Sequence, residues 1–161
     1  MKEKIVLEHI LQHLTVSAAR KKTFALRATK EGFDRMAHLF RAMAASEAAQ
    51  RRRVLFLLHG PVADSRKNFT EVSAGQLPEL REMYLALQHE AEADENVSLT
   101  HLARQEVQVG RKSAVLLKKT EEGTAADSYF VCSFCGYIHE GEAPERCPVC
   151  QAPRRRFARI D

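Results

Sequence analysis

The chain has 161 residues, enough for one domain of moderate size and a small appendage. Its formal net charge of +4 is mild, and its two arginine triplets, Arg51-Arg52-Arg53 and Arg154-Arg155-Arg156, are not interleaved with aromatics, so no nucleic-acid binding is expected. No apolar stretch approaches the roughly 18–20 residues needed to span a bilayer, and no N-terminal signal peptide is expected, so the reading is of a soluble, cytoplasmic protein with no membrane partner.

From Lys2 to Lys30 apolar residues recur at helical spacing (Leu7, Ile10, Leu11, Leu14, Ala18, Ala25, Ala28), and Glu31-Gly32 offers a stop. A second helix is predicted from about Phe33 to Leu58, ending at His59-Gly60-Pro61. The segment Val62 to Gly75 is mostly polar and reads as a crossover connection. A third helix should start near Leu77-Pro78, because proline is tolerated in the first turn, and continue through Met83 and Leu87 toward Ala93. Asp94-Glu95-Asn96 reads as a turn before a fourth helix over about Val97 to Lys119. Short links within each pair and one long link between pairs predict a mainly α, ferritin-like four-helix bundle. After Gly123-Thr124-Ala125-Ala126-Asp127 the pattern changes to turns and short strands, which places the bundle at residues 1–122 and a small β domain at 128–161.

Three carboxylates fall on the apolar stripes of the predicted helices. Glu47 follows Phe33, Met36, Ala37, Phe40, Met43 and Ala44; Glu79 shares a face with Met83 and Ala86 or Leu87; Glu106 follows Leu99, Leu102 and Ala103. A carboxylate facing a core needs a metal ion, a Lys or Arg partner, or a proton. His13, His38, His89 and His101 read as surface or packing residues.

The four cysteines of the chain form two knuckles, Cys132-Ser133-Phe134-Cys135 and Cys147-Pro148-Val149-Cys150. Cysteines at this spacing can aim both thiolates at one ion, and a short hairpin between knuckles lets the pairs converge. Gly136 supplies a positive φ after the first knuckle, and Pro148 stiffens the second. A tetrahedral S4 site suits zinc and iron equally; two disulfides in a secreted module are the alternative. Tyr129, Phe130, Tyr137 and Phe157 supply aromatic surface to wrap the centre.

The run from Cys132 to Pro153 and then Phe157, with Gly136-Tyr137, Glu140-Gly141, Pro144 and Ala152-Pro153, closely resembles the rubredoxin-like domain of the rubrerythrin family. The resemblance covers about Tyr129 to Ile160 and implies one iron that shuttles one electron. It extends into the helices through Val16-Ser17-Ala18-Ala19-Arg20, Glu31-Gly32-Phe33, Glu47-Ala48-Ala49-Gln50, Gly75-Gln76-Leu77-Pro78-Glu79 with Met83-Tyr84, and Leu102-Ala103-Arg104-Gln105-Glu106. There it implies a di-iron centre that reduces peroxide with electrons from the small domain. Against the family pattern, Val16 and Gln76 stand where glutamates are usual, Gln50 and Val109 where histidines are, and Thr23 where a tyrosine is.

The expectation is therefore a rubrerythrin-like redox protein with iron, or zinc, on Cys132, Cys135, Cys147 and Cys150. Glu47, Glu79 and Glu106 are the candidate catalytic ligands or proton carriers of an altered second metal site. A one-electron carrier and a structural zinc-binding interaction protein are the alternatives to a peroxide reductase. The resemblance also implies a homodimer and a separate redox donor protein.

Overall fold

The structure, a computed structural model, describes residues 2–160. It contains the helices α1 (Lys2–Lys30), α2 (Asp34–His59), α3 (Ser65–Glu71), α4 (Leu77–Ala93) and α5 (Val97–Glu121), and the strands β1 (Tyr129–Cys132), β2 (Ile138–Glu140) and β3 (Phe157–Ile160). The chain divides into two compact units, with the boundary between Asp64 and Ser65. Among the described residues no helix is long and apolar enough to cross a membrane.

The first unit is an antiparallel hairpin of α1 and α2. Gly32, at φ 81°, ends α1, and the Phe33 N–H returns to the Ala28 carbonyl at 2.9 Å, the bond pattern of a left-handed helix stop. The buried residues Leu14, Ala18, Ala25 and Ala28 on α1 and Ala37 and Ala44 on α2 form a narrow seam. Most are alanine, which lets the two backbones approach closely. Phe24 and Phe40 meet edge to face across the hairpin at 5.9 Å.

The second unit begins where a connection was predicted. Ser65–Glu71 is α-helical, and Val72–Gln76 is a π-helical turn that runs directly into α4. The polar crossover expected over Val62 to Gly75 is thus a helix after a short link, and the α4 region is its continuation rather than a fresh start. Pro78, which has no N–H to donate, falls where the π-helical turn passes into α4. α4 and α5 form a second antiparallel hairpin with Ala91, Ala103, Val107 and Leu116 buried. The Asn96 side chain caps α5 by accepting from the Leu99 N–H at 3.1 Å.

The strands form one antiparallel sheet in the order β2-β1-β3. This sheet is tied to α5 by charge: the Glu140 carboxylate on β2 accepts from Lys112 at 2.6 Å and from Lys119 at 3.0 Å. The molecule is therefore mainly α, with four long helices in two pairs and a small C-terminal β domain.

Candidate metal centre

Each cysteine knuckle is built by the same backbone circuit. In the first, the Gly136 N–H donates to the Cys132 carbonyl at 2.9 Å, and the Cys132 N–H donates to the Tyr137 carbonyl at 2.9 Å. In the second, Gln151 N–H bonds the Cys147 carbonyl at 2.9 Å, and Cys147 N–H bonds the Ala152 carbonyl at 2.8 Å. The fifth residue of each circuit has a left-handed backbone, with φ 75° at Gly136 and 61° at Gln151. Glycine takes that conformation freely, whereas glutamine is strained in it.

The two circuits bring the four sulfurs within 4.8 Å of one another. Cys132 and Cys150 lie 3.7 Å apart, Cys135 and Cys147 3.6 Å apart. A disulfide requires about 2.05 Å, so these are free thiols. Four sulfurs each ~2.3 Å from a central ion stand ~3.8 Å apart in a regular tetrahedron. The geometry therefore fits one tetrahedral metal ion. Among the described residues this is the cluster of three or more potential ligands that converges on one point.

Chemistry supports the same reading. Burial pushes the Cys132 thiol up, but backbone N–H groups of Cys135 and Phe134 and the adjacent thiols outweigh it and leave the group below its ordinary value. Burial raises Cys135 well above that value against an opposing bond from the Tyr137 N–H. Burial likewise raises Cys150, opposed by the Ala152 N–H. Four close sulfurs cannot all ionise without a cation among them, which is the property of a metal cage. Tyr137, Val149, Ala152 and Phe157 pack against the buried cysteines. Of the four aromatics expected around the centre, Tyr137 and Phe157 are the ones in this shell. Phe134, inside the first knuckle, is 71% exposed.

The three carboxylates have different surroundings. Glu79 is exposed on α4, beside an exposed Met83. Glu106 is half-buried on α5, and desolvation raises its pKa. Glu47 lies on α2 at the hairpin seam, where its Oε1 accepts from the Lys21 ammonium at 2.6 Å and from the Ser17 hydroxyl at 3.1 Å. Those bonds, led by Lys21, hold Glu47 below the usual carboxylate value despite desolvation. Lys21 was missed in the sequence, although the spacing 14, 18, 21, 25, 28 places it on the same stripe as the buried residues of α1. His13, His38, His89 and His101 are exposed.

Bundle di-iron sites take about four carboxylates and two imidazoles. The residues at the implied positions do not fit that demand. Val16 is a hydrocarbon side chain, 52% exposed; Gln50 and Gln76 hydrogen-bond Ser46 and Glu71; and Glu47 already has a cationic partner.

Residues 130–158 match the family model described as the rubrerythrin, rubredoxin-like domain. The chain is 25% identical to nigerythrin from Nitratidesulfovibrio vulgaris over 163 aligned residues, covering 89% of this chain and 79% of that protein. It is 26% identical to rubrerythrin from Porphyromonas gingivalis, covering 86% and 80%. A putative rubrerythrin from Methanocaldococcus jannaschii is 47% identical over a shorter stretch of 47 residues, 26% of this chain and 23% of that protein. Among solved structures, nigerythrin in its fully reduced, all-ferrous state matches with a TM-score of 0.52 at 25% identity, over 96% of this chain and 84% of the other. Sequence and fold thus lead to the same relatives: residues 130–158 match the rubrerythrin, rubredoxin-like domain, and the chain is similar to nigerythrin and rubrerythrin through helices and cage alike.

Proposed function

We propose that this protein is a non-haem iron redox protein in which Cys132, Cys135, Cys147 and Cys150 hold one iron ion and pass single electrons. The observation that carries the proposal is the convergence of four free sulfurs within 4.8 Å, inside a segment that matches the rubredoxin-like domain. Bound there, iron supplies a one-electron ferric/ferrous couple. The chain's own groups set the conditions for it. The N–H groups of Phe134, Cys135, Tyr137 and Ala152 point at sulfur and stabilise its negative charge. Tyr137 and Phe157 exclude water from the buried side. Cys150 is the less buried cysteine and Phe134 stands in solvent, so this rim is the short route to a redox donor protein.

A structural zinc site uses the same four sulfurs and is the second reading, favoured by the same tetrahedral spacing. Peroxide reduction would be a further activity, with Glu47, Glu79 and Glu106 as ligands or proton carriers. The engagement of Glu47 by Lys21 favours the carrier over the peroxide reductase. A homodimer is part of the proposal: Ile5, Ile10, Phe24, Met36, Met43 and Phe56 on the first hairpin are large apolar side chains left exposed, and a second copy is the occupant proposed for them.

The test is metal analysis with a visible spectrum on protein produced in iron-rich medium and purified without chelator. We expect one iron per chain and a red colour that bleaches on reduction by dithionite. Zinc in a colourless protein, persisting after iron reconstitution, would assign the cage a structural role.

A further inference from the structure

The Lys21–Glu47 contact lies in the seam between α1 and α2, with each side chain 17% exposed. Three polar atoms close a triangle there: Lys21 Nζ to Glu47 Oε1 at 2.6 Å, Lys21 Nζ to Ser17 Oγ at 2.6 Å, and Ser17 Oγ to Glu47 Oε1 at 3.1 Å. Ser17 and Lys21 are one helical turn apart on α1, so one face of one helix supplies both donors to Glu47. His13, a turn earlier, adds a weaker attraction. Around the triangle the seam is mostly alanine, which supplies no competing donor.

Glu47 is also the residue that the family resemblance assigns to metal ligation, and its counterpart position on α1 is Val16. A carboxylate in a seam takes a positive partner or a proton, and the chain contains a cation of its own at hydrogen-bond distance. We infer that the Lys21 ammonium takes the place of a metal ion at Glu47, so that the α1–α2 hairpin is closed by an internal salt bridge and does not use this carboxylate for metal. The bridge is a structural clamp between the two helices. Its alternative has a physical handle, because Glu47 Oε2 is buried without a hydrogen-bond partner and would be the atom offered to an added ion.

The inference is independent of which metal fills the cage, so the test uses the full chain with the cage loaded with zinc. Cobalt(II) is titrated in, since oxygen-ligated cobalt is spectrally distinct from thiolate-ligated cobalt. We expect no oxygen-ligated cobalt in the unaltered chain. A cobalt ion bound by the unaltered chain and lost in Glu47→Gln would overturn the inference. Thermal unfolding supplies a second readout through Lys21→Met, Glu47→Gln and the double variant. We expect each single change to lower the melting temperature by about 3 °C or more, and the double variant to lose clearly less than the sum. Strictly additive losses, or an unchanged melting temperature in Lys21→Met, would also overturn it. Iron failing to enter the cage would defeat the electron-carrier proposal and leave this result intact.

Discussion

Gln151 stands at φ 61° in the second knuckle where Gly136 stands in the first. The left-handed backbone costs a residue with a Cβ about 1–2 kcal/mol, offset by the roughly 0.5–1 kcal/mol that glycine loses in chain entropy. Gln151→Gly should therefore stabilise the metal-loaded small domain by roughly 0.5–1 kcal/mol, read as a higher denaturant midpoint of the metal–thiolate absorption. Glu106 makes a prediction of different sign. Its carboxyl is raised by desolvation in the folded chain, so the stability it contributes is full below the ordinary glutamate range and is lost as pH rises through the raised value. Glu106→Gln should raise the melting temperature at about pH 7.5 and give no gain at about pH 4, below the ordinary glutamate value. Equal gains at both values would show that charge is not the cause. At this scale the four cysteines were legible because two short spacings suffice to name them. Glu47 was legible as a seam residue, but its partner was not, since a lysine on a helical stripe reads as surface until the opposing carboxylate is located.

For whole elements, helices with apolar periodicity came through with their ends almost intact: α1 and α5 start where the sequence placed them, and α2 and α5 end within two residues of expectation. The miss was Ser65–Gln76. α3 buries none of its residues and so carries no apolar stripe, while Gly75 lies within a π-helical turn instead of breaking the helix. Periodicity detects burial, and this helix has little of it. The sheet-to-helix contact was equally hidden, because nothing local to Glu140 announces Lys112 and Lys119. Those lysines, Lys112 first, hold Glu140 below the ordinary carboxylate value. The stability it contributes is present above the unfolded glutamate pKa and is lost as pH falls through the lowered folded one. Glu140→Gln should loosen β2 from α5, measured as faster amide exchange in β2 near neutral pH with the cage spectrum unchanged. Exchange rates identical to the unaltered chain would show that the ion pairs contribute nothing to docking.

On the scale of the molecule, metal binding and helix formation draw on different parts of the chain. The cage closes entirely within the C-terminal segment, and the helices carry their own seams and caps. Cys135→Ser should abolish or strongly weaken metal binding while far-UV circular dichroism keeps nearly all of its helical signal. A comparable loss of helix would mean that the cage is required for the helical fold. Charge changes with loading as well: four thiolates around a ferric ion reduce the formal charge by one unit from +4.

The paired backbone circuits of Cys132–Tyr137 and Cys147–Ala152 also bear on how the centre is assembled. Each is a half-site with two sulfurs and its own hydrogen-bonded loop, so either can catch an ion before the other arrives. The inner cysteines are twelve positions apart, a separation whose closure is entropically modest. Capture by one half would therefore bring the other over a short tether, and loading would be a two-step chelation within the C-terminal segment.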